Sequence, residues 1–171
     1  MKKIVVISLG CLLLTGCSAK YNNVSVTKNT EQLARNKPVS IATPVDGIYE
    51  TTTYRGSGST TAQTTKAAFE RYSNEVLAVP ECSGLECLKD KGKLNEGYYV
   101  VPQILHWEDR ATEWSGIPDK MEVKITVYDA KTSSIISSTI LSGKSKWATF
   151  GGDHPQDLLP EPINNYVSSL Y

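Results

Sequence analysis

The chain has 171 residues, with 18 basic and 18 acidic side chains and a formal net charge of zero. That balance argues against a nucleic-acid partner, and the length suits one domain with a real core. Losing Lys2 and Lys3 with a leader would leave 16 basic against 18 acidic groups, which also argues against a polybasic membrane footprint.

The chain opens "MKKIVVISLGCLLLTGCSAK". Two lysines precede an apolar core too short for a comfortable bilayer span, the layout of a signal peptide over 1–16. Its Leu14-Thr15-Gly16-Cys17 ending resembles a bacterial lipobox. The resemblance implies cleavage before Cys17 and acylation of that residue by diacylglycerol and a further chain such as palmitate. Several acyl chains make a lasting anchor. Ser18, in place of aspartate, implies the outer membrane, with the domain on the periplasmic side. Residues 17–37 are polar and weakly periodic. They are expected to be a lipid-anchored tether with at most a short strand at Val24–Val26.

From 38 to 171 a single α/β (α+β) domain is expected, in the order β-α-β-α-β-β-β-α on a mixed sheet of about four to six strands. Val39–Thr43 reads as a strand and the Thr- and Gly-rich "YETTTYRGSGS" as a loop with an exposed edge. "STTAQTTKAAFERYS" reads as a helix capped by Ser59 or Thr60, with Ala62, Ala67, Ala68 and Phe69 inward. Val76–Val79 is a short buried strand, and "GLECLKDKGKLN" is a second helix. "GYYVVPQILHWEDR" is apolar on both faces, as a central strand is, with Pro102 marking an edge or bulge. Met121, Val123, Ile125 and Val127 alternate with Glu122, Lys124, Thr126 and Tyr128, a half-buried antiparallel strand whose hairpin partner is "SIISSTILSG". Ile163, Tyr166, Val167 and Leu170 form one stripe of a closing helix launched by Pro160 and Pro162.

Four groups of residues carry possible chemistry. Cys82 and Cys87 are the even pair left after the leader and the anchor. In an oxidising compartment they are most simply a disulfide, since no further soft ligand adjoins them and the spacing is not that of a redox Cys-x-x-Cys. The Gly-x-Gly of "RGSGSTT" lacks the third glycine of a dinucleotide fingerprint, and "SSTILSGKS" fails as a phosphate loop. No nucleotide or other cofactor is therefore expected, and at most a weak glycan or anion contact at Gly56–Thr60.

"HWEDRATEW" places His106, Trp107, Glu108, Asp109, Arg110, Glu113 and Trp114 together. Paired carboxylates among aromatics suit glycan hydrolysis. They equally suit a strand end where Arg110 ties down a carboxylate and Trp107 packs on the core. In "GGDHPQD", Asp153 and His154 could serve a metal or an acid–base pair. Asp153 and Gln156 instead have the spacing of a capping box, with Gly151 and Gly152 bending the chain and Pro155 fixing the turn. No catalytic or metal role is assigned. Trp107, Glu108, Asp109, Arg110, Trp114, Asp153 and His154 form a candidate surface for an envelope protein or glycan.

The two long motifs, "VPQILHWEDRATEWSGIPDKMEVKITVYDA" and "SGKSKWATFGGDHPQDLLPEPINNYVSSLY", closely resemble a family of small Gram-negative lipoproteins catalogued as a domain of unknown function. The resemblance runs from about Val39 to Tyr171. It marks Trp107, Glu108, Asp109, Arg110, Trp114, Trp147, Gly151, Gly152, Asp153 and Pro155 as motif positions and transfers no catalytic role. The element order resembles envelope α/β domains of the TolB amino-terminal type, an analogy of fold alone. The expected function is a non-catalytic binding or assembly module for an envelope component. The alternative is a periplasmic hydrolase of cell-wall or surface glycans using Glu108, Asp109 or Asp153 with His106 or His154.

Overall fold

A computed structural model describes residues 19–28, 31–110, 116–146 and 154–171. The leader, Cys17, Trp114, Trp147, Gly151, Gly152 and Asp153 lie outside the described residues. The elements are β1 (Lys20–Thr27), β2 (Val39–Ala42), β3 (Gly47–Tyr49), β4 (Thr52–Tyr54), α1 (Ser57–Phe69), β5 (Val76–Val79), α2 (Leu85–Gly92), β6 (Tyr98–Glu108), β7 (Lys120–Asp129), β8 (Ile135–Lys144), a 3-10 turn (Pro155–Leu158) and α3 (Pro160–Leu170). Six strands form one mixed sheet in the order β1-β8-β7-β6-β2-β5, and β3-β4 is a separate hairpin. β2 runs parallel to β5 and β6, and the remaining pairs of the large sheet are antiparallel. This is the expected mixed α+β domain.

The strand alternation divides the interior in two. Val39, Ile41, Val100, Val123, Ile125, Val127 and Leu141 pack with Phe69 of α1 and with Ile163, Tyr166, Val167 and Leu170 of α3, so the predicted stripe of the last helix is its buried face. On the other face α2 covers only the β5-β2-β6 side, where Ala42, Val79, Tyr99 and Val101 meet Leu88 and Cys82. The domain thus has three layers on one side of the sheet and two on the other. The face of β7, β8 and β1 opposite α3 has no helix over it among the described residues. Cys82 and Cys87 are joined as a disulfide that ties the start of α2 to the turn after β5.

Three expectations differ from the structure. First, the expected tether is largely part of the domain. β1 pairs along β8 from Lys20 opposite Lys144 to Thr27 opposite Ser138, and Leu33 is buried in the main core. β1 was hard to recognise because it is an edge strand exposed along most of its length, held by backbone hydrogen bonds rather than by a buried apolar face. Second, the β3-β4 hairpin starts at Gly47 and runs into the expected loop, which holds β4. Third, α1 starts at Ser57, not after Ser59 or Thr60, and Ala67 is exposed while Thr61 and Thr65 are buried. Each buried threonine donates its hydroxyl to the carbonyl four residues back, at 2.8 Å, so its burial leaves no donor unpaired.

The Gly-Ser-Gly at that helix start is structural. The carboxylate of Asp46 accepts from the Gly56 and Gly58 amides at 3.1 and 2.9 Å, while the Ser57 hydroxyl accepts from the Gly47 amide at 2.8 Å. Gly56 has φ +88°, and a Cβ at Gly58 would stand 2.0 Å from the Pro44 carbonyl oxygen. Asp46 therefore occupies the anion-attracting end of α1, and the expected anion contact at Gly56–Thr60 is taken by the chain itself.

Candidate functional site

The site is positioned by one irregularity in β6. Ile104 faces Val123, and His106 faces Glu122, leaving Leu105 as the extra residue of a β-bulge. The bulge exchanges the two faces of the strand. Before it, even-numbered Val100 and Ile104 point to the α1-α3 core. After it, odd-numbered Trp107 does so, opposite Met121. His106 and Glu108 are thereby turned to the open face, beside Glu122 and Lys120. Pro102 precedes the bulge just where β6 has lost β2 as a neighbour, since β2 pairs only with Tyr98, Tyr99 and Val100.

Trp107 is 2% exposed and Glu108 1%. Both were expected on a docking surface, and both are interior. Trp107 is a core side chain with its Cβ packed where β3 crosses, so close that a Cβ on Gly47 would meet it at 2.6 Å. Glu108 is held by three cationic or ionisable donors. Its carboxylate receives the Arg110 Nε–H and bonds of 3.1 Å from Lys120 Nζ and 3.0 Å to His106 Nε2. Burial by itself would raise the Glu108 pKa; the bonds to His106, Lys120 and Arg110 outweigh it and hold the pKa at about 2. Tyr49 of β3 completes the group. Its hydroxyl accepts from Arg110 Nη2 at 3.1 Å, and its ring meets the His106 ring edge-on at 5.2 Å. The backbone of Arg110 is fixed as well, donating to Asp119, whose own amide donates to Ser145 Oγ at 2.9 Å.

Asp109, the next residue, leaves the strand on the opposite side. Its carboxylate bonds His154 Nδ1 at 3.1 Å, and this contact joins the two long sequence motifs. Asp109 and Gln156 line a cleft of about 450 Å³ with Tyr54, Arg55, Gly56 and Trp107. The hydrogen bond to Asp109 raises the His154 pKa above 6.5, against a smaller opposing effect of burial. His154 also begins the 3-10 turn, where its amide donates to the Asp157 carboxylate at 3.0 Å. The reciprocal cap is thus formed one residue later than Asp153 and Gln156 would have placed it.

The described members of the sequence-predicted set are therefore brought to one end of the sheet and then separated, while Trp114 and Asp153 lie outside the described residues. His106 lines a different cleft, of about 310 Å³, on the open face with Lys20, Asn22, Lys120, Glu122, Ser142 and Lys144. Among the described residues no three His, Cys, Asp or Glu side chains are placed to hold a metal ion. Tyr49, Lys120 and Asp119 were missed. Only the strand register and the unrecognised hairpin bring them to Glu108, although Lys120 could have been found by pairing the end of β6 with the start of β7.

The family model described as Domain of unknown function (DUF4823) matches residues 31–170. No curated protein matches the chain. Among solved structures the fold is similar to the PelC dodecamer from Paraburkholderia phytofirmans, with TM-score 0.67 and 12% identity over 89% of this chain and 96% of that one. It is also similar to protein XCC0632 from Xanthomonas campestris, of family DUF330, with TM-score 0.51 and 10% identity over 83% and 92%. At these identities the likeness is one of fold.

Proposed function

We propose, from the premise that the chain belongs to the DUF4823 family, that it is an outer-membrane-anchored periplasmic lipoprotein serving as a non-catalytic binding or assembly module for a cell-envelope component. The observation that carries this reading is the state of Glu108. A general acid must hold a proton near working pH and reach its substrate. Glu108 is 1% exposed, ionised down to about pH 2 and shared among Arg110, Lys120 and His106, so it serves as the centre of a structural ion network. His106 and Asp109, one member of each histidine–carboxylate pair, line separate clefts, which further favours a scaffold over an acid–base constellation.

An assembly role has two further supports. The similarly folded PelC is a dodecamer, in which copies of one chain join. This chain also exposes large apolar side chains around the hairpin and the bulge: Val45, Ile48 and Leu105. The anchor would be Cys17, acylated after removal of 1–16. The glycan-hydrolase reading retains one favourable feature, Asp109 bonded to His154 and lining an open cleft.

One experiment separates the two. The lipoprotein is crosslinked in membranes and purified as wild type, Trp114→Ala and Asp109→Asn, and each is assayed on a panel of cell-wall and surface glycans. The module reading expects a defined homo- or hetero-assembly that Trp114→Ala weakens, with no glycan turnover by any form. Turnover by the wild type that is lost in a stably folded Asp109→Asn variant overturns it.

A further inference from the structure

At one end of the open sheet face, four strands end or begin in register. Lys20, the first residue of β1, pairs with Lys144, the last of β8. Lys144 pairs with Lys120, the first of β7, and Lys120 pairs with Glu108, the last of β6. Three lysines thus stand side by side on one face of neighbouring strands. Directly opposed residues have Cβ atoms roughly 5 Å apart, and like charges there destabilise a sheet. Lys120 has Glu108 to neutralise it. Lys20 and Lys144 are exposed, and among the described residues neither has a carboxylate partner. The row borders the 310 Å³ cleft, with Asn22, Ser142 and His106 in the next rank. Glu122 is the one carboxylate in that rank and faces His106. Among the described strand pairs this like-charged row occurs at a single place.

The chain's own connectivity indicates what lies there. Three peptide steps separate Cys17 from Lys20. They span at most about 11 Å when fully extended. Because β1 begins at Lys20, no long tether intervenes. An acyl chain on Cys17 fixes that residue at the headgroup level, so Lys20 stands within about 11 Å of the leaflet surface, a distance comparable to the Debye length of roughly 8 Å at physiological salt, and the lysine row begins there.

We propose that Lys20, Lys144 and Lys120 form a contact site for anionic phospholipid headgroups, so that the domain stands on its own leaflet by this end of the sheet. The proposal rests on the reading of Cys17 as the lipid anchor. It also revises what the near-neutral composition implied. A charge balance over the whole chain does not register three lysines that the strand register assembles in one place. Phosphate oxygens between the ammonium groups replace the carboxylates that Lys20 and Lys144 lack, and the side chains of Asn22 and Ser142 supply neutral donors beside them.

The test uses the full-length lipoprotein in vesicles of phosphatidylethanolamine, and in vesicles of phosphatidylethanolamine mixed with phosphatidylglycerol. Amide hydrogen exchange is followed in 20–27 and 140–144. The expected result is exchange slowed on the order of tenfold in the anionic vesicles. High salt abolishes that slowing, and so does the double variant Lys20→Gln/Lys144→Gln. The variant removes a repulsion and is expected to melt no lower than wild type in detergent; the salt arm on the wild type tests the contact independently of it. Equal exchange in both vesicle types, with Cys17 found acylated by mass spectrometry, overturns the headgroup site and leaves the anchor reading standing. Cys17 found without acyl chains overturns both.

Discussion

His106 with Glu108 and His154 with Asp109 look alike in sequence and at the level of a single contact, with distances of 3.0 and 3.1 Å. Their surroundings differ. Glu108 ends a strand on the open face and is covered there by its bonds to Arg110, Lys120 and His106, leaving 1% of its side chain exposed. Asp109, one residue on, has left the sheet on the other side. It and His154 keep 30% and 53% of their side-chain exposure. Breaking a buried ion network leaves charges without solvent or partner, whereas breaking an exposed pair returns both groups to water. Neighbouring carboxylates in one motif therefore differ in kind: the first holds the sheet end together, and the second couples the two long sequence motifs at the surface.

The contrast depends on the faces that the end of β6 presents, and shifting its alternation by one residue should break it most completely. Inserting one alanine between His106 and Trp107 shifts the alternation by one residue beyond the bulge, which sends Trp107 to the open face and Glu108 into the α1-α3 core. The expected outcome is loss of a cooperative thermal transition. Tryptophan emission should also shift to the red, because one of the three tryptophans, Trp107, leaves the core. A Leu105→Ala variant keeps the residue count and hence the register, so it should melt cooperatively and close to wild type, the side chain being 47% exposed.

A substitution at the buried member comes next in size. Glu108→Gln leaves Arg110 and Lys120 facing a neutral amide. The folded pKa of about 2 lies below the ordinary 4.5, so ionised Glu108 contributes stability that is fully present above about pH 4.5 and disappears as pH falls toward 2. The shift corresponds to about 3 kcal/mol, or a Tm lower by about 10 °C for a domain of this size. Thermal melts at pH 7 should show that gap, and melts approaching pH 2 should show it closing. A gap that stays constant with pH would mean that the ion network is not its source.

How much of this was legible in the sequence depended on what each residue is buried against. β2, β5, β7 and β8 were visible because their apolar residues line a core, and α3 because its stripe does. β1 was not, since an edge strand paired through its backbone leaves little periodicity to recognise. β6 was visible as a strand apolar on both faces, with Pro102 marking an edge or bulge; that the bulged residue is Leu105, and so which faces His106, Trp107 and Glu108 take, required the register. Within the motif, Arg110 as the partner of a carboxylate followed from local spacing. Tyr49 and Lys120 come from other strands, 59 and 12 residues from Glu108, and required the topology. Asp46 in place of Ser59 or Thr60 at the start of α1 is a similar case: a cap supplied from an upstream loop is invisible to a rule that looks only at the adjacent residue.

The smallest effect belongs to the exposed pair. His154 has its pKa raised above 6.5 by the bond to Asp109. A raised histidine stabilises the fold below the unfolded value, and that contribution is lost as pH rises through the folded value. With half of the imidazole in water, solvent screening reduces the pair to about 0.5 kcal/mol or less. His154→Ala should therefore lower the Tm by only about 1–2 °C at pH 6, and by nothing measurable at pH 9. Nuclear magnetic resonance titration of the His154 ring gives the sharper measurement, with an apparent pKa above 6.5 in the wild type and a lower one in Asp109→Asn. A ring that titrates identically in both would show that Asp109 does not hold it, and the two motif loops would then be joined by something other than this bond.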